Sequence, residues 1–121
     1  MPIWNKIRSI RYALRGLRIA WREESNFRFH AVFTILTLLG AWIVGLSLVE
    51  YAIVFFMIGF VVATELFNTA LEELCDKFRP EHDPHIGKIK DLSAAAVLTA
   101  SCTALLVGLV IFVPHVLALV R

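Results

Sequence analysis

The chain has 121 residues, of which 59% are apolar and 18% charged, with a net charge of +2. A soluble domain of this length has too little interior to hide that much apolar surface, and disorder requires the opposite composition. What remains is a single membrane domain over residues 1–121. Its two cysteines, Cys75 and Cys102, are too few for a disulfide framework and read as reduced packing residues.

Residues 3–22 form the first predicted element. Ile3, Ile7, Ile10, Leu14, Leu17 and Trp21 recur at alternating steps of four and three, which places them on one helical face. Lys6, Arg8, Arg11, Arg15, Arg18 and Arg22 flank that face, and no acid appears before Glu23. A basic amphipathic helix of this kind lies in the membrane interface, its apolar face below the headgroups and its arginines on anionic lipid. A soluble bundle helix is the alternative for the same spacing. No short apolar stretch with a small-residue cleavage site follows the basic N-terminus, so no cleavable signal peptide is expected.

Three membrane spans follow, at 29–49, 51–76 and 92–113. Ala31 to Val49 carries no charge over nineteen residues, and about 20 suffice to cross the hydrocarbon core. Glu50 and the Gly45-Leu46-Ser47 turn mark the far side. The second apolar run is interrupted at Glu65. The third, from Leu92, is expected to stop at Pro114, which breaks helices. Residues 77–91 read as the one long polar connection. Lys and Arg cluster before residue 29 and in 77–91, so the N-terminus and that connection face the cytoplasm of a multi-pass plasma (inner) membrane protein. Ala96, Ala100, Ala104 and Gly108 repeat every fourth residue, a register in which membrane helices approach closely. Three thin helices enclose little by themselves, so a homo-oligomer with sites shared between chains is predicted.

Glu65, Asn68, Glu72 and Asp76 carry the chemistry. Steps of three, four and four keep them within an arc of roughly 80° on one helix face, rising about 16 Å from the cytoplasmic third of the bilayer into the headgroups. Ionisable groups in a span are costly and persist where they meet a partner, cavity or substrate. Glu72 and Asp76, near water, suit a hard cation such as Mg²⁺. Glu65, shielded from water, suits a general base acting on a membrane-dissolved hydroxyl. Spacing alone leaves three readings open: catalysis, structural pairing with Arg or Lys of neighbouring helices, and a proton or cation path. Glu73 falls off the arc and reads as solvated.

At the cytoplasmic junction before the first span, Glu24 could join the same metal. Lys88, Lys90 and Asp91, just before the third span, sit where lysine meets phosphate; the bland reading is a snorkelling charge. His82-Asp83-Pro84-His85 is weak evidence for a metal, and His30 and His115 at span boundaries say nothing alone. Gly87-Lys88 fails the phosphate-loop pattern, with His82 and Ile89 at its defining positions, and no protein-kinase signature is present.

Glu65-Leu66-Phe67-Asn68-Thr69-Ala70-Leu71-Glu72 resembles the E-x-x-N-[ST]-A-[IL]-E signature of the prokaryotic diacylglycerol kinase family, small trimeric membrane lipid kinases. Asp76, the Lys90-Asp91 pair and Glu24 before Phe27 fall at that family's spacing, and the likeness spans roughly residues 10–114. The resemblance implies an all-α membrane fold, a surface helix plus three transmembrane helices in a homotrimer, that phosphorylates a membrane lipid alcohol from ATP. It implies Glu65 as general base with Asn68 beside it, and Glu24 and Glu72 holding Mg²⁺ on the ATP phosphates. It places Asp76, Lys90 and Asp91 at the nucleotide, with Glu81, His82 and Asp83 nearby, and Tyr12 on the surface helix closing the site. Asn26-Phe27-Arg28-Phe29-His30 and Ile111-Phe112-Val113-Pro114 look closer to the undecaprenol kinase branch than to diacylglycerol kinases of the enterobacterial type. Ser93-Ala94 departs from the family's Gly-Ser, and Asn5 stands where a basic residue is expected. The runner-up function is a small proton or cation transporter using Glu65.

Overall fold

The computed structural model describes residues 2–78 and 83–121. Among these, the chain is all helix: α1 (Ile3–Glu23), α2 (Ser25–Val44), α3 (Leu48–Asp76) and α4 (Pro84–Val120). The last three are each long and apolar enough to cross a membrane. The stripe Ile3, Ile7, Ile10, Leu14, Leu17 and Trp21 stays exposed, and only Ala20 of α1 is buried. Among the described residues no element covers the apolar face of α1, as an interfacial helix requires.

Helix ends explain where sequence and structure differ. A single extended residue, Glu24, separates α1 from α2, so the first span begins at Ser25 rather than at 29. Arg28, in the first turn of α2, donates from Nη1 to the carbonyls of Trp21 (2.8 Å) and Arg22 (3.1 Å). That guanidinium satisfies orphan carbonyls at the end of α1 and complements its dipole, which fixes the angle at Glu24.

The span ends at Val44 rather than 49 because Gly45 adopts φ 72°, the left-handed conformation. The amides of Gly45 and Leu46 both donate to the carbonyl of Ala41, at 3.0 and 3.2 Å, the closure that a C-terminal glycine permits. Ser47 then caps α3, whose first residue, Leu48, lies three residues before Tyr51. The Ser47 hydroxyl accepts from the amide of Glu50 (3.2 Å), while the Ser47 amide donates to Glu50 Oε1 (3.0 Å). This reciprocal capping box is worth about 1 kcal/mol.

The largest correction concerns α4. It begins at Pro84, so Lys88, Lys90 and Asp91 stand on a helix and not in a loop. Asp83 caps it, its carboxylate accepting from the amide of His85 (2.9 Å) with proline at the first turn, a start signal in its own right. At the other end α4 passes through Pro114 to Val120. In lipid the backbone groups of residues 115–120 have no partner outside a helix, which outweighs the one hydrogen bond that Pro114 forfeits. His115 Nε2 also lies 3.0 Å from both carboxylate oxygens of Glu50, which ties the end of α4 to the start of α3.

The bundle packs chiefly through α3 against α4. Its small core, Ala41, Leu46, Val54 and Ile111, sits at the Glu50 end. Of the small-residue stripe on α4 only Ala100 is buried, at 1% exposure. Ala104 and Gly108 instead line an apolar cavity of about 470 Å³ between α2, α3 and α4. The polar face of α3 therefore lies at the end away from the core.

Candidate active site

Glu65 is 5% exposed, the one buried carboxylate among the described residues. The step from Val54 through Val61 to Glu65 and on to Cys75, all buried, puts it on the inner face of α3. Its partner comes from α2: His30 Nε2 lies 3.2 Å from Glu65 Oε1. His30 also lines the apolar cavity, which runs past Phe33, Thr37, Met57 and Val61 to Phe112. A titratable pair thus stands at one end of a space that suits a hydrocarbon chain.

One turn on, Asn68 links two helices. Its Nδ2 donates to Glu72 Oε1 (3.3 Å), and its Oδ1 accepts from Ser93 Oγ on α4 (2.8 Å). The polarity of this chain is forced. An ionised carboxylate only accepts, so the amide must turn its NH₂ to Glu72, and its oxygen is left for the serine hydroxyl. Ser93 is itself buried, so the relay aims Glu72 from inside the bundle.

Glu24 supplies the third carboxylate. It stands at the N-cap of α2, yet its side chain makes no capping hydrogen bond and is not consumed there. Burial, foremost, and then the negative fields of Glu72 and Glu65 hold its carboxyl above the usual carboxylate range. A cation beside Glu24 would relieve that repulsion. Glu24 and Glu72 are hard oxygen donors, although among the described residues no group of three or more His, Cys, Asp or Glu stands together so as to hold a metal ion by itself. That donor set fits Mg²⁺, which takes one or two protein carboxylates and completes its octahedron with water and substrate phosphates.

At the outer edge Lys90 Nζ donates to Asp76 Oδ1 at 2.7 Å. Asp76 is largely exposed, so solvent screens the pair and it adds little stability; its effect is to hold the ammonium over the carboxylate face of α3. Asp91 is exposed beside it. Asp83 is engaged as the α4 cap. Tyr12 is 65% exposed on α1. Glu81 and His82 lie outside the described residues, and Glu73 is exposed as expected.

Three members of the arrangement escape sequence reasoning. His30 is separated from Glu65 by a whole span, Ser93 stands out only as a departure from the family's Gly-Ser, and Arg28 reads as one more positive-inside charge. The one available signal was a histidine one residue inside an apolar run, where an unpartnered imidazole is unfavourable.

The family model described as "Prokaryotic diacylglycerol kinase" matches residues 11–112. An undecaprenol kinase of Bacillus subtilis is 36% identical over 107 residues, covering 88% of this chain and 87% of that protein. A diacylglycerol kinase of Synechocystis is 33% identical over 116 residues, 95% of this chain and 66% of that protein. The diacylglycerol kinase of Escherichia coli is 28% identical over 109 residues, covering 90% and 89%.

Proposed function

The chain belongs to the prokaryotic diacylglycerol kinase family, whose members are lipid kinases, and from that premise we propose that it transfers the γ-phosphoryl group of ATP to the hydroxyl of a membrane lipid alcohol at the cytoplasmic face. Undecaprenol is favoured over diacylglycerol, supported by the 36% identity to an undecaprenol kinase. The observation that carries the reading is Glu65, a carboxylate at 5% exposure within a span, aligned on one helix face with Asn68 and Glu72.

Phosphoryl transfer asks the protein mostly for positioning and charge neutralisation. Glu65 accepts the proton of the lipid hydroxyl, which its sheltered carboxylate does better than a solvated one. Asn68 holds Glu72 in place through its amide. Glu24 and Glu72 hold Mg²⁺, which when bound neutralises charge on the phosphates. Lys90 reaches the nucleotide from the Asp76 side, with Asp91 and Asp83 at the same end of α4. In the homotrimer that the family resemblance implies, α1 of a neighbouring copy, bearing Tyr12, covers the site.

Purified protein in mixed micelles, with labelled ATP and with undecaprenol and diacylglycerol in parallel, tests the function. Glu65→Gln keeps the shape and removes the base; turnover should fall about 10²- to 10⁴-fold while Mg·ATP still binds. Near-normal turnover in that variant, or failure of the wild type on every lipid alcohol, refutes the proposal.

A further inference from the structure

We propose that His30 is a positioning residue for the phosphoryl transfer, the group that aims the Glu65 carboxylate at the lipid hydroxyl; this rests on Glu65 being the base. Glu65 has no partner on its own helix. Its side chain is 7% exposed, and His30 Nε2 at 3.2 Å from Oε1 is the polar contact it makes among the described residues. With Oε1 facing the imidazole at ion-pair distance, the carboxylate has a preferred orientation, and Oε2 is the oxygen assigned to the substrate.

The backbone carbonyl of His30 accepts from Thr34 Oγ1 at 2.8 Å, and the ring stands edge-on to Phe29, centroids 5.8 Å apart. His30 is thus the group on α2 that sets the rotamer of a base on α3. It also lines the apolar cavity, so the group that faces Glu65 also faces a chain seated there.

In the step this serves, the lipid O–H gives its proton to Oε2 as its oxygen forms the bond to the γ-phosphorus. The bond from that phosphorus to the bridging oxygen breaks, and its electron pair leaves on ADP. Glu65 then releases the proton to water. His30 stays donor to Oε1 throughout and gains or loses nothing. A misplacement of about 1 Å in such a constellation costs on the order of 100-fold in rate, so the imidazole matters to turnover and not to nucleotide binding.

His30→Leu, His30→Gln and His30→Asn separate this role from packing. His30→Leu should lower kcat 10- to 100-fold, on the order of a lost orienting contact, with KM for ATP within about twofold, since neither Glu24 nor Glu72 is touched. His30→Gln keeps an N–H donor of similar reach and should recover most of kcat; His30→Asn, one methylene shorter, should not. In a Glu65→Gln background His30→Leu should cost nothing further, because there is no base left to aim. Should His30→Leu fail to fold, as judged by thermal unfolding and oligomer size, the Gln and Asn comparison decides alone. Equal kcat in those two variants, or an unchanged kcat in His30→Leu with Glu65→Gln inactive, overturns the role of His30 and leaves the base intact. Activity surviving Glu65→Gln overturns the base itself.

Discussion

Ser93 makes the sharpest test of how the carboxylates are held. Its hydroxyl donates to Asn68 Oδ1 at 2.8 Å, and Asn68 Nδ2 donates to Glu72 Oε1 at 3.3 Å, so Ser93→Ala removes the anchor of a two-bond relay and leaves its acceptor behind. A typical hydrogen bond contributes about 1 kcal/mol, and an acceptor stranded away from water costs up to about 3 kcal/mol. Ser93 is 7% exposed, so water replaces the hydroxyl poorly and a stability loss of about 1–3 kcal/mol is expected. If about 1 kcal/mol of that reaches the transition state through a loosened Glu72, turnover falls roughly fivefold, together with a raised Mg²⁺ requirement. Ser93→Thr keeps the hydroxyl and should restore both quantities. The assay is lipid phosphorylation across a Mg²⁺ titration, paired with thermal inactivation in the same detergent. If Ser93→Ala and Ser93→Thr behave alike, or if Ser93→Ala loses stability with no change in Mg²⁺ dependence, Asn68 does not transmit position to Glu72.

Two further outcomes follow from local geometry. Gly45 adopts φ 72°, and a Cβ there would meet nothing within 4 Å, so Gly45→Ala should destabilise by the left-handed backbone penalty alone, about 1–2 kcal/mol. Gly45→Asn should cost less, because asparagine tolerates that conformation; equal thermal inactivation of the two variants would contradict this. Glu24→Gln should raise the Mg²⁺ concentration for half-maximal activity about tenfold or more, the loss of one ligand worth about 1.4 kcal/mol. It should also stabilise the metal-free protein at neutral pH. Burial and the fields of Glu72 and Glu65 raise the folded carboxyl above its unfolded value, so the folded state holds the proton more tightly and the ionised form carries a penalty above the folded pKa. Below the unfolded pKa both states are protonated and the advantage of Gln should vanish. A stability difference that grows on acidification would reverse the sign.

The architecture was legible because lipid imposes strong patterns. An uncharged run of nineteen residues from Ala31 to Val49 can do little but cross, and the alternating stripe of α1 can do little but lie flat. Element ends were less legible, since capping competes with composition. Asp83-Pro84 starts α4 eight residues before the apolar run does, and Pro114 fails to stop it because residues 115–120 have nowhere else to place their backbone groups. The acidic half of the site was legible for a local reason: Glu65, Asn68, Glu72 and Asp76 share one helix, so periodicity alone aligns them. Their partners were not. His30, Ser93 and Lys90 reach α3 from α2 and α4, and no local pattern encodes which residue of a neighbouring helix lies opposite.

That division has a mechanical consequence. The carboxylates sit on one helix, but each is held from another: Glu65 by α2, Glu72 through Asn68 by α4, Asp76 by α4 directly, with Glu24 standing at the joint between α1 and α2. The geometry of the site is therefore a statement about helix register, not about any one loop. The devices that fix register lie far from the chemistry, at the capping box of Ser47 and Glu50, the left-handed Gly45 and the Glu50–His115 contact. A span rotated by one residue, about 100°, would turn His30 away from Glu65 altogether while leaving every apolar segment as comfortable in lipid as before. Hydrophobic burial cannot discriminate those states in a solvent that is itself apolar. Within the membrane, the polar contacts across helices supply that discrimination, and the residues that position the base thereby also help to specify the fold.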